Sequence, residues 1–182
     1  MNPDVAGTLF LITALAVMML AELAAGAVGL VLPLTAAVVL YAAQTRSRRT
    51  VLTLAFIGGA VLDLVYARPL PISVPALMLG GLVAVQSRRR EVAEWADLLL
   101  PIAGGMAAYQ GVLLLAAWVH TGFQLERFFI ACGVTIWGTL LALFLLAGFD
   151  GIHEWLGLTA VIPRRKTPLL RPERAAEPQE RS

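Results

Sequence analysis

The chain has 182 residues, 59% of them hydrophobic and only 14% charged, with a mean hydropathy of +0.79. Soluble domains run roughly 45–50% apolar and about 25% charged, so this balance excludes a disordered chain and argues against a water-soluble enzyme. Fourteen Lys+Arg stand against twelve Asp+Glu, and the single Cys132 supports neither an intramolecular disulfide nor a cysteine-based metal site.

A membrane helix needs about 20 mostly apolar residues. Val5–Ala43 contains one acid, Glu22, and no basic residue, and it is long enough for two spans. The break between them belongs at Ala25-Gly26-Ala27-Val28-Gly29, where two glycines weaken the helix. Ala25-Gly26-Ala27 also has the form of a signal-peptidase site. The start Met1-Asn2-Pro3-Asp4, with an acid and no base, argues against cleavage. Val51–Gln86 is a second apolar stretch, broken by the turn Arg68-Pro69-Leu70-Pro71 into arms Val51–Ala67 and Ile72–Gln86, both short for full spans. Leu98–Val119 and Phe128–Phe149 read as complete spans.

The expected fold is therefore an all-α polytopic bundle of about six transmembrane helices over residues 1–149. A short surface helix follows over 150–163, placing Asp150, His153 and Glu154 on one face. The Pro- and Arg-rich remainder, 164–182, is expected to be disordered near anionic headgroups. In this zigzag Arg46, Arg48, Arg49, Arg88, Arg89, Arg90, Arg164, Arg165, Lys166, Arg171, Arg174 and Arg181 fall on one side. Only Arg68 and Arg127 fall on the other. The positive-inside rule then places both termini in the cytoplasm. Tyr41, Tyr66, Trp95, Trp118 and Trp155 all lie near span ends, where amphipathic rings favour the interface.

Asp63 is the most informative residue, because a carboxylate in an apolar arm is costly and must face protein or water. One reading is a proton or ion site, or a contact that positions partners. The other is a carboxylate near the outer end, bonded to backbone donors of the Arg68-Pro69 turn or paired with Arg68. Glu22, near the outer end of span one, is expected to reach headgroups. Small residues recur at i+4 as Ala55/Gly59/Asp63, Ala76/Gly80/Ala84 and Ala103/Ala107/Gly111, stripes that let helices approach closely in lipid. His120 and His153 have acidic neighbours, but a solvated face explains them better than a metal. No hydrolase or nucleotide motif is present, so no catalytic residue, metal or cofactor is expected.

At the third and fourth arms the sequence resembles the rod shape-determining membrane protein MreD family. The resemblance rests on Gly59-x-x-x-Asp63-Leu64 followed by Pro69-Leu70 and an apolar return helix, with Leu32-Pro33-Leu34, Leu40-Tyr41 and the basic loop Arg46–Arg49 before it. It covers essentially the whole chain except the tail. Pro71 and Ala67 stand where the family usually has glycines, and proline cannot supply a positive φ. The resemblance implies a non-enzymatic, multi-pass subunit of the bacterial inner membrane within the cell-shape machinery. It would act as a scaffold associating with an MreC-like membrane protein and, through it, with MreB filaments and cell-wall synthases. Beyond these proteins and the bilayer, no nucleic-acid partner is expected. A different class remains open: the substrate-binding membrane subunit of a vitamin-type transporter, which needs a polar, aromatic pocket near the outer face.

Overall fold

The structure, a computed structural model, describes residues 3–68, 70–88 and 95–155. These form six α-helices: α1 (Pro3–Ala27), α2 (Leu34–Thr45), α3 (Arg48–Val65), α4 (Ser73–Ser87), α5 (Trp95–Thr121) and α6 (Leu125–Trp155). The described residues contain no strand. Three helices, α1, α5 and α6, are long and apolar enough to cross a membrane. Large apolar side chains such as Leu20, Leu115, Val119 and Phe144 lie exposed on them, the surface that lipid covers in a spanning helix. α2 and α4 are apolar but shorter.

α1 and α3 end in the same way. Leu30 N donates to Ala25 O (2.9 Å) with Gly29 at φ +82°, and Arg68 N donates to Asp63 O (3.0 Å) with Ala67 at φ +47°. Both are six-residue closures with a left-handed residue at the penultimate position, a geometry for which glycine is the usual choice. Ala67 adopts it against the preference of an L side chain.

α2 is the axis of the bundle. Every residue from Leu34 to Gln44 is buried, and the helix packs against each of the other five. A helix apolar on all sides is stable only when enclosed. Its 12 residues amount to about 18 Å, against a hydrocarbon core of about 30 Å. The span expected between Val28 and Ala43 is therefore not a full-length helix. Gly29 turns the chain and Pro33 supplies no amide hydrogen, so residues 30–33 run without helical structure before α2 begins.

Tyr41, expected at the interface, is buried in this core. Its ring packs 5.3 Å from Phe149 and 6.4 Å from Phe10, centre to centre. Enclosure of α2 overrides the aromatic's preference for the membrane surface. The break expected between span six and a surface helix is absent as well. α6 runs unbroken through Asp150, itself buried, to Trp155. Residues 156–163 and the 164–182 tail lie outside the described residues.

The small residues do bring helices together. Ala55, Ala76 and Ala84 are fully buried, and Gly80 is buried against α5. A Cβ on Gly59 would stand 2.6 Å from Val74 Cα, and one on Gly80 2.7 Å from Gly105 O, so backbone meets backbone at both. The third stripe differs. Gly111 has nothing within 4 Å and Ala107 is exposed, because Gly105, off the i+4 row, makes the close approach.

α2 starts deep in the bundle. A Cβ on Gly138 would lie 2.8 Å from Pro33 and 3.2 Å from Met106, which sets the start of α2 level with those points of α6 and α5. α5 continues from Met106 to Thr121, about 22 Å further at 1.5 Å per residue. The α5–α6 pair therefore overhangs the starts of the short helices.

Candidate functional site: two capped helix starts and a cavity beside them

Helix starts leave backbone N–H groups without partners, and inside a membrane each unsatisfied group costs several kcal/mol. The residues preceding α2 and α4 are Pro33 and Ile72, neither of which makes a side-chain cap. Acids from the preceding helices do so instead. Glu22 of α1, 8% exposed, accepts from Thr35 N at 2.7 Å. Asp63 of α3, 7% exposed, accepts from Ser73 N with both oxygens at 3.0 Å and from Val74 N at 3.3 Å. A carboxylate at a helix start satisfies donors and complements the positive end of the helix dipole.

Arg68, after α3, completes the Asp63 cluster. Its Nη1 donates to Ser73 Oγ at 2.5 Å and lies 3.6 Å from Asp63 Oδ1, and its guanidinium stands 5.1 Å from the centre of the Tyr66 ring. Asp63 thus pairs with Arg68 and also reaches past the turn to the first residues of α4. The expectation that Glu22 reaches headgroups is corrected: its carboxylate is buried, because α2 begins below the end of α1 and presents an uncapped N–H there.

α2 is capped at its other end by a cation. Arg88 Nη1 donates to Ala43 O (3.2 Å), Gln44 O (3.3 Å) and Arg46 O (3.2 Å). A cation at a helix C-terminus complements the dipole as Glu22 does at the start. These bonds bring Arg88 to the Arg46 end of α2, next to the start of α3 with Arg48 and Arg49. Arg68 lies at the opposite end of α3, and Arg127 bonds to Thr121 at the α5–α6 connection (2.7 Å). Arg89 and Arg90 lie outside the described residues.

Of the remaining motif residues, Gly59 packs on the start of α4, Leu64 and Leu70 are exposed, and Pro69 lies outside the described residues. Among the described residues no group of three acidic, His or Cys side chains is placed to hold a metal.

Beside the capped start of α2 lies a cavity of about 340 Å³. Its walls are Glu22, the 29–33 connection, Tyr66, Arg68, Tyr109 and Gln110. Tyr109 is 6% exposed, and no described residue hydrogen-bonds its hydroxyl. Sequence reasoning passed over Tyr109 and Gln110, although they interrupt the otherwise aliphatic run Leu98–Val119. It also passed over the pairing of uncapped helix starts with an acid on the preceding helix, the signal that would have located Glu22. Comparison with known families, characterised proteins and solved structures finds no match.

Proposed function

We propose that the chain is a multi-pass protein of the bacterial inner membrane, with both termini cytoplasmic. Within the cell-shape machinery it would serve as a non-enzymatic scaffold that docks an MreC-like membrane protein. Through that partner it would act on MreB filaments and the cell-wall synthases, and so on regulated peptidoglycan synthesis. The observation that carries this reading is the use of Glu22 and Asp63. Both intramembrane acids hold helix starts, which favours a rigid docking body over a proton relay. The Gly59-x-x-x-Asp63 motif, the core of the resemblance, is the joint between α3 and α4. The short helices add to six crossings if the non-helical residues around them complete the passage where protein encloses them.

Co-purification from native membranes tests the reading. Recovery of an MreC-like protein with the chain is the expected result, and its absence overturns the scaffold role. A reporter fused after Ser182 is expected to be active in the cytoplasm, and periplasmic activity refutes the six-span topology.

A second reading, the substrate-binding subunit of a small-molecule transporter, is favoured by one observation: the cavity lined by Tyr66, Arg68, Tyr109 and Gln110. It requires that a vitamin panel raise the melting temperature of the purified chain, and that no MreC-like protein accompany it.

A further inference from the structure

The cavity has two poles of opposite charge that the capping network does not exhaust. Arg68 uses Nη1 for Ser73 and Asp63, and no described residue bonds its Nε or Nη2. That free edge of a guanidinium matches two oxygens of a carboxylate or phosphate. Glu22 supplies the opposite pole. Tyr109 also lines the cavity, and no described residue bonds its hydroxyl.

Charge decides between ligand classes. Among the residues lining the cavity, Glu22 is the acid and Arg68 the cation. The cavity is thus close to neutral overall with separated poles, which disfavours a simple anion or cation and suits a dipolar head.

At the edge of the site Leu30 (56% exposed) and Val31 (69% exposed) give an apolar rim on which an acyl chain can lie. The volume falls at the low end of the roughly 300–1,000 Å³ typical of ligand pockets, enough for a compact head and not for a large cofactor.

We infer that this cavity binds a zwitterionic group, an anionic phosphate or carboxylate beside a primary ammonium. The anionic oxygens sit on the free edge of Arg68, the ammonium faces Glu22, and the Tyr109 hydroxyl bonds the head. The chemistry is shared by an aminophospholipid headgroup and by small free zwitterions. The inference goes beyond the scaffold reading and does not depend on it.

The test is thermal unfolding of the full chain in mild non-ionic detergent. Four probes are added separately: dioleoyl phosphatidylethanolamine, dioleoyl phosphatidylglycerol, dioleoyl phosphatidylcholine and soluble phosphoethanolamine. Phosphatidylethanolamine, phosphoethanolamine or both are expected to raise Tm, by roughly 3–6 °C at tenfold excess over Kd. Phosphatidylglycerol and phosphatidylcholine are expected to do much less. A shift with the lipid alone assigns the site to membrane lipid, and a shift with phosphoethanolamine alone assigns it to a soluble ligand.

Glu22→Gln keeps an acceptor for Thr35 N while removing the charge, and is expected to abolish the preference over phosphatidylglycerol. Tyr109→Phe is expected to weaken binding by about two- to tenfold. Each shift is read against that variant's own ligand-free Tm, so a loss of stability cannot mimic a loss of binding. Equal shifts with all three lipids, no shift with either ammonium-bearing probe, or unchanged selectivity in Glu22→Gln would overturn the inference.

Discussion

Replacing Asp63 separates its capping role from a titrating one. In the native chain its carboxylate takes two backbone N–H groups, Ser73 and Val74, and stands 3.6 Å from Arg68. Asp63→Asn keeps one acceptor oxygen but converts charge-assisted bonds into neutral ones, a loss of about 1 kcal/mol each. The ion pair adds at most about 1 kcal/mol, because the Arg68 side chain is 33% exposed and solvent screens it. The total is about 2–3 kcal/mol. Asp63→Leu leaves both N–H groups buried without an acceptor and Arg68 unpaired, for about 4–5 kcal/mol, the upper end for a single substitution. At about 2–4 °C per kcal/mol for a chain of this size, the two variants differ in Tm by roughly 4–8 °C. Thermal unfolding of the detergent-solubilised full chain reads that gap directly. Recovery of the proposed MreC-like partner is expected to rank the same way. Equal losses in the two variants, or two losses below about 0.5 kcal/mol, refute the capping role.

Glu22→Gln is expected to cost about 1 kcal/mol and Glu22→Ala about 2–3 kcal/mol, since only alanine leaves Thr35 N without an acceptor. Equal unfolding midpoints in the two would show that this cap contributes nothing. Ala67→Gly is expected to stabilise by about 0.5–1 kcal/mol: it removes a left-handed strain of about 1–2 kcal/mol, partly offset by the freer unfolded chain. Gly29→Ala, at the matching position of α1, is expected to lose stability, and a lower Tm for Ala67→Gly sinks the comparison. Gly59→Ala forces α3 from α4 and is expected to cost about 1–3 kcal/mol. Gly111→Ala, with open space around it, is expected to gain about 0.5–1 kcal/mol of helix stability; denaturant titration gives both signs. Cys132 is exposed on α6, one turn inward from Phe128 and Phe129. It is expected to resist a membrane-impermeant maleimide in vesicles and to react in detergent. Rapid labelling in vesicles would place the outer end of α6 in water.

Helix positions were legible wherever a local signal ends a helix. Gly26 and Gly29 mark the end of α1, and the Arg68–Pro71 turn separates α3 from α4, because glycine and proline act through neighbouring backbone alone. The length of α2 was not legible. Hydropathy reads Val28–Ala43 as one apolar run, whereas a left-handed Gly29 and Pro33 keep residues 30–33 out of the helix. Asp63 could be read near its role because its partners follow within a short turn. Glu22 could not, since Thr35 lies on the far side of a connection whose path the sequence does not specify. Asp150 misled for a related reason. A polar residue after an apolar run looks like an exit from the membrane, but its burial among helices is decided by packing.

The enclosed position of α2 also explains why charged residues occur at its ends. A short helix sealed among five others cannot satisfy its terminal N–H and C=O groups with water or with its own side chains, Pro33 contributing no side-chain cap. Glu22 supplies the acceptor at the start, and Arg88 the donor at the finish. Each sits at the end where the helix dipole favours its charge. Asp63 does the same for α4, and Arg68 holds Asp63 in place. The bundle is therefore locked by charges that different helices lend to one another, so loss of one cap loosens a helix it does not belong to. A site built from Glu22 and Arg68 inherits that coupling. A zwitterion bound there would bear on the starts of α2 and α4 together and tighten the joint that carries Gly59 and Asp63.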